Sequence, residues 1–208
     1  AVVVAISKLQ SLADSINNAG AGLTAADLVA LGVSDMGGNA AKLSLLNSLL
    51  DTMPFGDVDT PGELANLIDI VNRMIATAMG ELVVPGLAVS DFEALGIPGV
   101  TDSPNGGNLS MIVAAVAGSG ANGANIDTAA ELRAVVAAAV DEFNISPTLK
   151  AIIDYANSNL NPLPTVIDYN QAGVNLVDAD TLAAVNAIVD SLLGADVSSA
   201  DKVNTLVY

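Results

Sequence analysis

Apolar residues recur at helical spacing along most of this 208-residue chain. One stripe of apolar positions consists of Leu64, Leu67, Ile68, Val71, Ile75 and Met79. A second stripe consists of Leu132, Val135, Val136, Ala139, Val140 and Phe143. Steps of three and four residues place such side chains on one face of an α-helix, whereas a half-buried strand alternates with a period of two. Because that alternation is almost absent, we predict an all-α fold.

The pattern divides into longer and shorter predicted helices. The longer helices are expected near residues 3–18, 39–51, 60–79, 107–117, 128–143, 148–158 and 179–193. The short helices are expected at about residues 24–31, 89–95 and 165–171. One more helix is expected to start near Ser199.

Residues at the helix ends support these assignments. A glycine follows each short helix, and we interpret Gly32, Gly96 and Gly173 as left-handed C-terminal caps. Asp59 and Asp127 are the predicted N-caps of two longer helices, since a carboxylate there accepts from free backbone amides. The first turns of these helices carry acidic side chains that face the positive end of the helix dipole, Glu63 and Glu131.

A short pattern occurs three times in the chain. It reads LTAADL at residues 23–28, LAVSDF at 87–92 and PTVIDY at 164–169. The pattern VDTPGEL at 58–64 is echoed by IDTAAEL at 126–132, and more faintly by VSSADKV at 197–203. Such internal self-similarity is typical of repeat proteins, in which modules stack to build a continuous core.

Each repeat contains a long, a short and a medium predicted helix, so we predict tandem three-helix modules packed end to end. The predicted boundaries are 1–79, 80–144 and 145–208, with Ser146 and Pro147 starting the third module. The third repeat is expected to be truncated, because its last helix has little room before Tyr208.

The helix predicted at 60–79 is long enough to serve two modules. We expect it to pack against the first module through Leu64, Leu67 and Ile68, and against the second through Ile75, Met79 and Val83. A shared helix would hold the two neighbours at a defined angle.

Composition restricts the possible functions. Apolar residues make up 52% of the chain but aromatic residues only 3%, so each module has a thin aliphatic core. The 23 acidic and 6 basic residues give a net charge of −17, which disfavours nucleic acid and anionic membrane surfaces as partners. No apolar run approaches the 18 or so residues of a membrane span, and we predict no membrane insertion.

The chain has no cysteine and no histidine. Disulfides, thiolate nucleophiles, imidazole metal ligands and histidine general bases are therefore absent. An enzyme using carboxylates alone, such as a glycosidase with Glu93 or Glu131, is the remaining catalytic alternative. Because both residues are expected at helix starts or on exposed helical positions, we predict no enzymatic activity and no catalytic residues.

Three groups of acidic residues invite a ligand-binding interpretation. The pairs Asp57 with Asp59 and Asp178 with Asp180 resemble calcium loops but lack the spacing of an EF-hand, so we predict turns and helix caps there and no metal site. Three recurrent aspartates lie early in the short helices: Asp27, Asp91 and Asp168. They could form a repeated ligand contact, but we favour complementation of the helix dipole or local hydrogen bonding.

Two further features have a structural and a functional interpretation. Residues 105–108 (NGGN) lack the lysine and spacing of a phosphate-binding loop, and we predict a turn without a cofactor. The three tyrosines form a sugar-stacking platform or, as we favour, core contacts with hydrogen-bonded hydroxyl groups: Tyr155, Tyr169 and Tyr208.

The third repeat resembles the α-helical repeats of very large bacterial surface adhesins of the RTX or biofilm-associated type. The likeness rests on residues 155–157 (YAN), 164–169 (PTVIDY), 172–174 (AGV), 181–186 (TLAAVN) and 203–207 (VNTLV). The arrangement is also distantly similar to the three-helix albumin-binding GA module, although no binding motif matches. The resemblance implies extracellular display at a bacterial cell surface.

We therefore expect a non-catalytic structural or adhesive repeat region that acts as a semi-rigid stalk or an interaction surface. The expected partners are neighbouring repeats of the same chain, a host or matrix protein, or another copy through self-association. A ligand-binding module similar to the GA module, and a filament-forming extracellular subunit, are the alternatives.

Overall fold

The computed structural model describes residues 1–13, 22–33, 36–102, 107–158, 161–175 and 177–207. Every regular element in these ranges is helical, which confirms the predicted all-α class. The α-helices are α1 (Val2–Ala13), α2 (Ala25–Ala30), α3 (Ala40–Leu50), α4 (Pro61–Ala78), α5 (Val89–Ala94), α6 (Leu109–Gly118), α7 (Ala129–Asn144), α8 (Pro147–Asn157), α9 (Val166–Gln171), α10 (Leu182–Asp190) and α11 (Ala200–Val207). Three 3₁₀ turns accompany them, at Phe55–Asp57, Ala121–Gly123 and Gly194–Val197.

Each predicted helix has a counterpart in the structure, with ends that differ by a few residues. Helix α1 was expected to extend to residue 18, but residues 14–18 lie outside the described part of the chain. Helix α10 begins at Leu182 rather than near residue 179, because residues 178–181 form a turn that is closed by side-chain hydrogen bonds.

The helices recur in one order: an opening helix, a short helix, a medium helix, a 3₁₀ turn and a closing helix. Copy 1 runs from α1 to α4, copy 2 from α4 to α7, and copy 3 from α8 to α11. Helix α4 closes copy 1 and opens copy 2. The description as three helices therefore omits the closing helix.

The chain divides into two compact units, residues 1–143 and 144–208. The boundary predicted at 144/145 lies within one residue of this division. The boundary predicted at 79/80 lies inside the first unit, whose buried side chains form a single hydrophobic cluster that spans copies 1 and 2. Since α4 contributes to both copies, residue 79 separates two repeats but not two compact units.

The glycine caps occur as predicted. Gly32, Gly96 and Gly173 have φ values of +82°, +65° and +86°, a conformation that L-residues with a Cβ rarely adopt. After each glycine, the next amide donates to a carbonyl five residues earlier, as in the bond from Val33 N–H to Leu28 O (3.1 Å). This pattern is the Schellman motif, and it returns the chain to the core.

The predicted N-caps at Asp59 and Asp127 are wrong by one residue. Thr60 caps α4: its Oγ1 accepts from Glu63 N–H (3.2 Å), and Glu63 Oε2 accepts from Thr60 N–H (3.0 Å). Thr128 and Glu131 make the same reciprocal bonds at the start of α7. A cap must directly precede the first helical residue for its side chain to reach the amides of the first turn, and the aspartates lie one position too early.

Helix α3 is buried on two faces. Leu46 and Leu50 lie on one face and Leu45 and Leu49 on a neighbouring one, and all four are fully buried. Ser48, on the second face, accepts a hydrogen bond from the N–H of Ala129 in α7 (2.9 Å). Helix α3 thus lies between the core of copy 1 and the beginning of the closing helix of copy 2.

Of the residues expected to link the copies through α4, Ile75 is fully buried, whereas Met79 is 38% exposed. The Met79 sulfur lies 3.7 Å from the side-chain nitrogen, Nδ2, of Asn39, a residue of copy 1. Met79 therefore has a different neighbour from the one expected.

We predict that Ile75→Asp destabilises copies 1 and 2 together by more than about 3 kcal/mol, because it buries an unpaired charge in their common core. Hydrogen exchange at increasing urea measures this as a simultaneous loss of protection in α2 and α5. Leu82→Asp, at a position that is 94% exposed, is the control and should change stability by less than about 0.5 kcal/mol. Independent melting of copy 1 with copy 2 still protected would contradict the shared core.

Candidate functional site

The three recurrent aspartates accept backbone hydrogen bonds at the start of the short helices. Asp27 Oδ2 accepts from Thr24 N–H at 2.9 Å, and Asp168 Oδ2 accepts from Thr165 N–H at 2.7 Å. Asp91 Oδ2 accepts from the N–H of Ala88 at 2.8 Å. The expected role as local hydrogen-bond acceptors is confirmed, and each carboxylate closes one side of a capping box.

Two of these aspartates also form ion pairs that sequence reasoning missed. Lys8 Nζ lies 2.7 Å from Asp27 Oδ2. Arg73 holds Asp91 with both terminal nitrogens, at 2.5 Å and 2.7 Å, and its Nε lies 3.0 Å from Asp69. In both copies the cation belongs to the opening helix and the carboxylate to the short helix that follows it.

Copy 3 lacks this ion pair. The buried residues Leu9, Met74 and Ile152 set the register of the opening helices, and Ala151 then occupies the position of Lys8 and Arg73. Asp168 has no cationic partner among the described residues. The sequence feature that indicates these ion pairs is a basic residue directly before a buried apolar residue of the opening helix. It occurs in copies 1 and 2.

The ion pairs keep these carboxylates ionised. The hydrogen bond from Lys8, followed by those from Thr24, lowers the pKa of Asp27 to about 2. For Asp91, burial alone would raise the pKa, but the bonds from Arg73 and Ala88 outweigh it and the net shift is downward. A general acid needs a raised pKa near the working pH, which neither group has.

The other candidate carboxylates also serve local structure. Asp178 Oδ1 accepts from Asp180 N–H (3.0 Å) and from Thr181 N–H (2.9 Å), as the predicted turn requires. Asp57 lies in the first 3₁₀ turn and Glu131 in the capping box of α7. Within the described ranges, no three acidic residues are grouped so that they could hold a metal ion.

Two tyrosines lie in the core of the second unit, as predicted. Tyr169 is fully buried and donates its hydroxyl to Asn186 Oδ1 (2.7 Å), while Asn186 donates to Pro164 O (3.0 Å). Burial raises the pKa of Tyr169. Tyr155 is also buried, whereas Tyr208 lies outside the described residues.

Asn108 closes the loop in which a turn was predicted. Its side chain accepts from Thr101 N–H (2.7 Å) and donates to Gly99 O (2.7 Å). Residues 103–106, which include the first two residues of the NGGN stretch, lie outside the described part.

An apolar groove of the first unit lies beside α1. It has a volume of about 200 Å³ and lies between α1 and residues 55–64. Val2 and Ile6 line one wall and are 52% and 44% exposed, and Phe55 and Val58 lie opposite. The groove is a concave apolar surface with no titratable cluster, which suits a protein contact better than chemistry.

No described helix is long and apolar enough to span a membrane. No protein-family model, curated protein or solved structure matches the chain.

We predict that Asp91→Asn lowers the free energy of unfolding by about 2 kcal/mol, because it leaves the mostly buried Arg73 guanidinium without its forked partner. Asp168→Asn is the matched control: it removes the same helix-start carboxylate but no ion pair, and should cost less than about 1 kcal/mol. Urea unfolding at neutral pH measures both. Equal losses would mean that the ion pair adds nothing to the cap.

We also predict that the Asp27 carboxyl titrates at about 2 and that its pKa rises toward the ordinary value of 3.8 in Lys8→Met. Since the folded pKa is lowered, the stabilisation is complete above about pH 4 and is lost as the pH falls toward 2. Carbon-detected NMR titration of the carboxyl measures the shift. Lys150→Met, which removes a cation bound to Asp154 instead, should leave Asp27 unchanged.

Proposed function

We propose that this chain is a non-catalytic structural repeat region of a secreted or cell-surface bacterial protein, and that it acts as a semi-rigid stalk. The observation that carries the proposal is the joint between copies 1 and 2, where α4 belongs to both copies and α3 is buried between them. A joint of this kind transmits orientation from one repeat to the next.

The energetics of the joint support stiffness. Burying a leucine side chain contributes about 1.5–3 kcal/mol, and bending at the joint would expose the second face of α3, which carries Leu45 and Leu49. Bending would also break the hydrogen bonds from Ala129 N–H to Ser48 and from Arg133 to Thr52. The observed arrangement of copies 1 and 2 is therefore favoured by several kilocalories per mole over one in which the joint is bent.

Charge and composition support display outside the cell. A net charge of −17 keeps a chain with positive mean hydropathy from associating nonspecifically. The absence of cysteine makes folding independent of disulfide formation. Together with the resemblance of the third repeat to adhesin repeats, these properties favour a surface stalk.

A second candidate is a module that captures a protein ligand. The observation in its favour is the loop after α4, where Leu82 and Val84 are almost fully exposed. Neighbouring exposed aliphatic side chains form an apolar surface of the kind that a partner protein can cover.

Segment replacement separates the two candidates. In the producing bacterium, we expect deletion of residues 1–143 from the full protein to weaken attachment of cells to their target surface. Replacement by an unrelated rigid helical repeat of equal length should restore attachment, because a stalk supplies reach rather than contacts. If the replacement fails, while Leu82→Asp in the native protein also abolishes attachment, the ligand-binding candidate is supported and the stalk is rejected.

A further inference from the structure

The joint between copies 1 and 2 shows how one repeat receives another. Helix α3 of copy 1 packs against α4 and against the second 3₁₀ turn, Ala121–Gly123. Ser48 of α3 accepts from Ala129 N–H, and Thr52, two residues beyond the end of α3, accepts from the Arg133 guanidinium of α7. The medium helix of copy 1, α3, therefore packs against both the opening helix and the closing helix of copy 2, α4 and α7.

Copy 1 has the same receiving surface, and no described helix of the first unit fills it. Buried residues align the copies, with Leu9 matching Met74 and Val58 matching Ile126. In this register Val2 and Ile6, which line one wall of the groove, correspond to Leu67 and Val71 of α4, which are buried. The groove beside α1 is thus the counterpart of the surface that α3 fills in copy 2.

Copy 3 has the matching donor face. Val185 and Val189 of α10 align with Leu46 and Leu50 of α3, so Ile188 occupies the position of Leu49. Leu49 is fully buried at the internal joint, whereas Ile188 is 40% exposed. The neighbouring positions on this face are small and exposed, Ala184 and Ala187.

The groove beside α1 and the exposed face of α10 both lack the polar group that their counterparts have at the internal joint. At the internal joint the Ala129 N–H is satisfied by the Ser48 hydroxyl. In copy 1 the position of Ala129 is Pro61, which has no N–H, and in α10 the position of Ser48 is Ala187, which has no hydroxyl. Both members of the polar pair are replaced by apolar groups, so docking would leave neither a donor nor an acceptor unsatisfied.

We propose that the groove beside α1 receives helix α10 of a second copy of this chain, with Ile188 inserted between the wall of Val2 and Ile6 and the wall of Phe55 and Val58. The contact joins two different surfaces, so it is heterologous: copies add head to tail and form either a ring or an open chain. This inference goes beyond the stalk proposal, which concerns order within one chain, and either can fail alone.

Charge makes the association weak at low salt. Two copies that each carry −17 repel one another, and added salt shortens the range of that repulsion. The test is sedimentation equilibrium of the full chain from about 10 µM to about 1 mM, the range of weak complexes, in about 0.5 M NaCl. We expect a mass that rises with concentration without closing at a dimer.

Three variants identify the surfaces. Ile6→Asp in the groove and Ile188→Asp on the donor face should each give monomers, with helical circular dichroism unchanged because both positions are partly exposed. Val29→Asp is the control; it is 61% exposed on α2, outside both surfaces, and should associate like the native chain.

A mixture of the two disrupting variants gives the decisive result. The Ile6→Asp chain retains its donor helix and the Ile188→Asp chain retains its groove, so an equimolar mixture should form dimers and nothing larger. The proposal is overturned if the native chain stays monomeric throughout, if the mixture stays monomeric, or if Val29→Asp abolishes association as the other variants do. Failure of the segment-replacement experiment with intact self-association would reject the stalk and leave this interface standing.

Discussion

Helix α4 must bury apolar side chains around most of its circumference, and the organisation of the first unit depends on this requirement. Its buried residues are Leu64, Leu67, Ile68, Ile70, Val71, Met74, Ile75, Thr77 and Ala78. No single thin repeat can cover so wide a surface, because each has an aliphatic core with few aromatic side chains. Two repeats, one on each side of the helix, provide the cover, and their cores become continuous.

Copies 2 and 3 do not share a helix in the way that copies 1 and 2 share α4. Helix α7 ends at Asn144, and Ser146 caps a new helix by accepting from Leu149 N–H (3.1 Å). Pro147 would be incompatible with a continuous helix, since it lacks an amide donor and clashes with the preceding turn. Copy 3 therefore has its own opening helix, and the division into two compact units falls at this break.

Polar contacts vary between copies more than the apolar frame does. The positions of Leu28, Phe92 and Tyr169 are fully buried in all three copies, and a left-handed glycine follows each short helix. The ion pair to the short helix occurs in copies 1 and 2 but not in copy 3, where Tyr169 and Asn186 form a buried hydrogen bond instead. Copies 1 and 2 thus attach the short helix to the bundle by an ion pair and copy 3 by a buried hydrogen bond, while the surfaces that join copies 1 and 2 follow the apolar frame.

The sequence alone determined the helical class, the approximate helix limits, the glycine caps and the repeat order, because these depend on local spacing and on backbone conformations that few residues adopt. It placed the N-caps one residue early, since an aspartate next to a threonine offers two equally good acceptors and only the helix start selects between them. It did not reveal the pairing of Arg73 with Asp91, or that α3 is buried on two faces, because both depend on residues distant in the chain. Only the tertiary structure decided which repeats share a core, since that depends on whether a closing helix continues into the next copy and on what covers its second face.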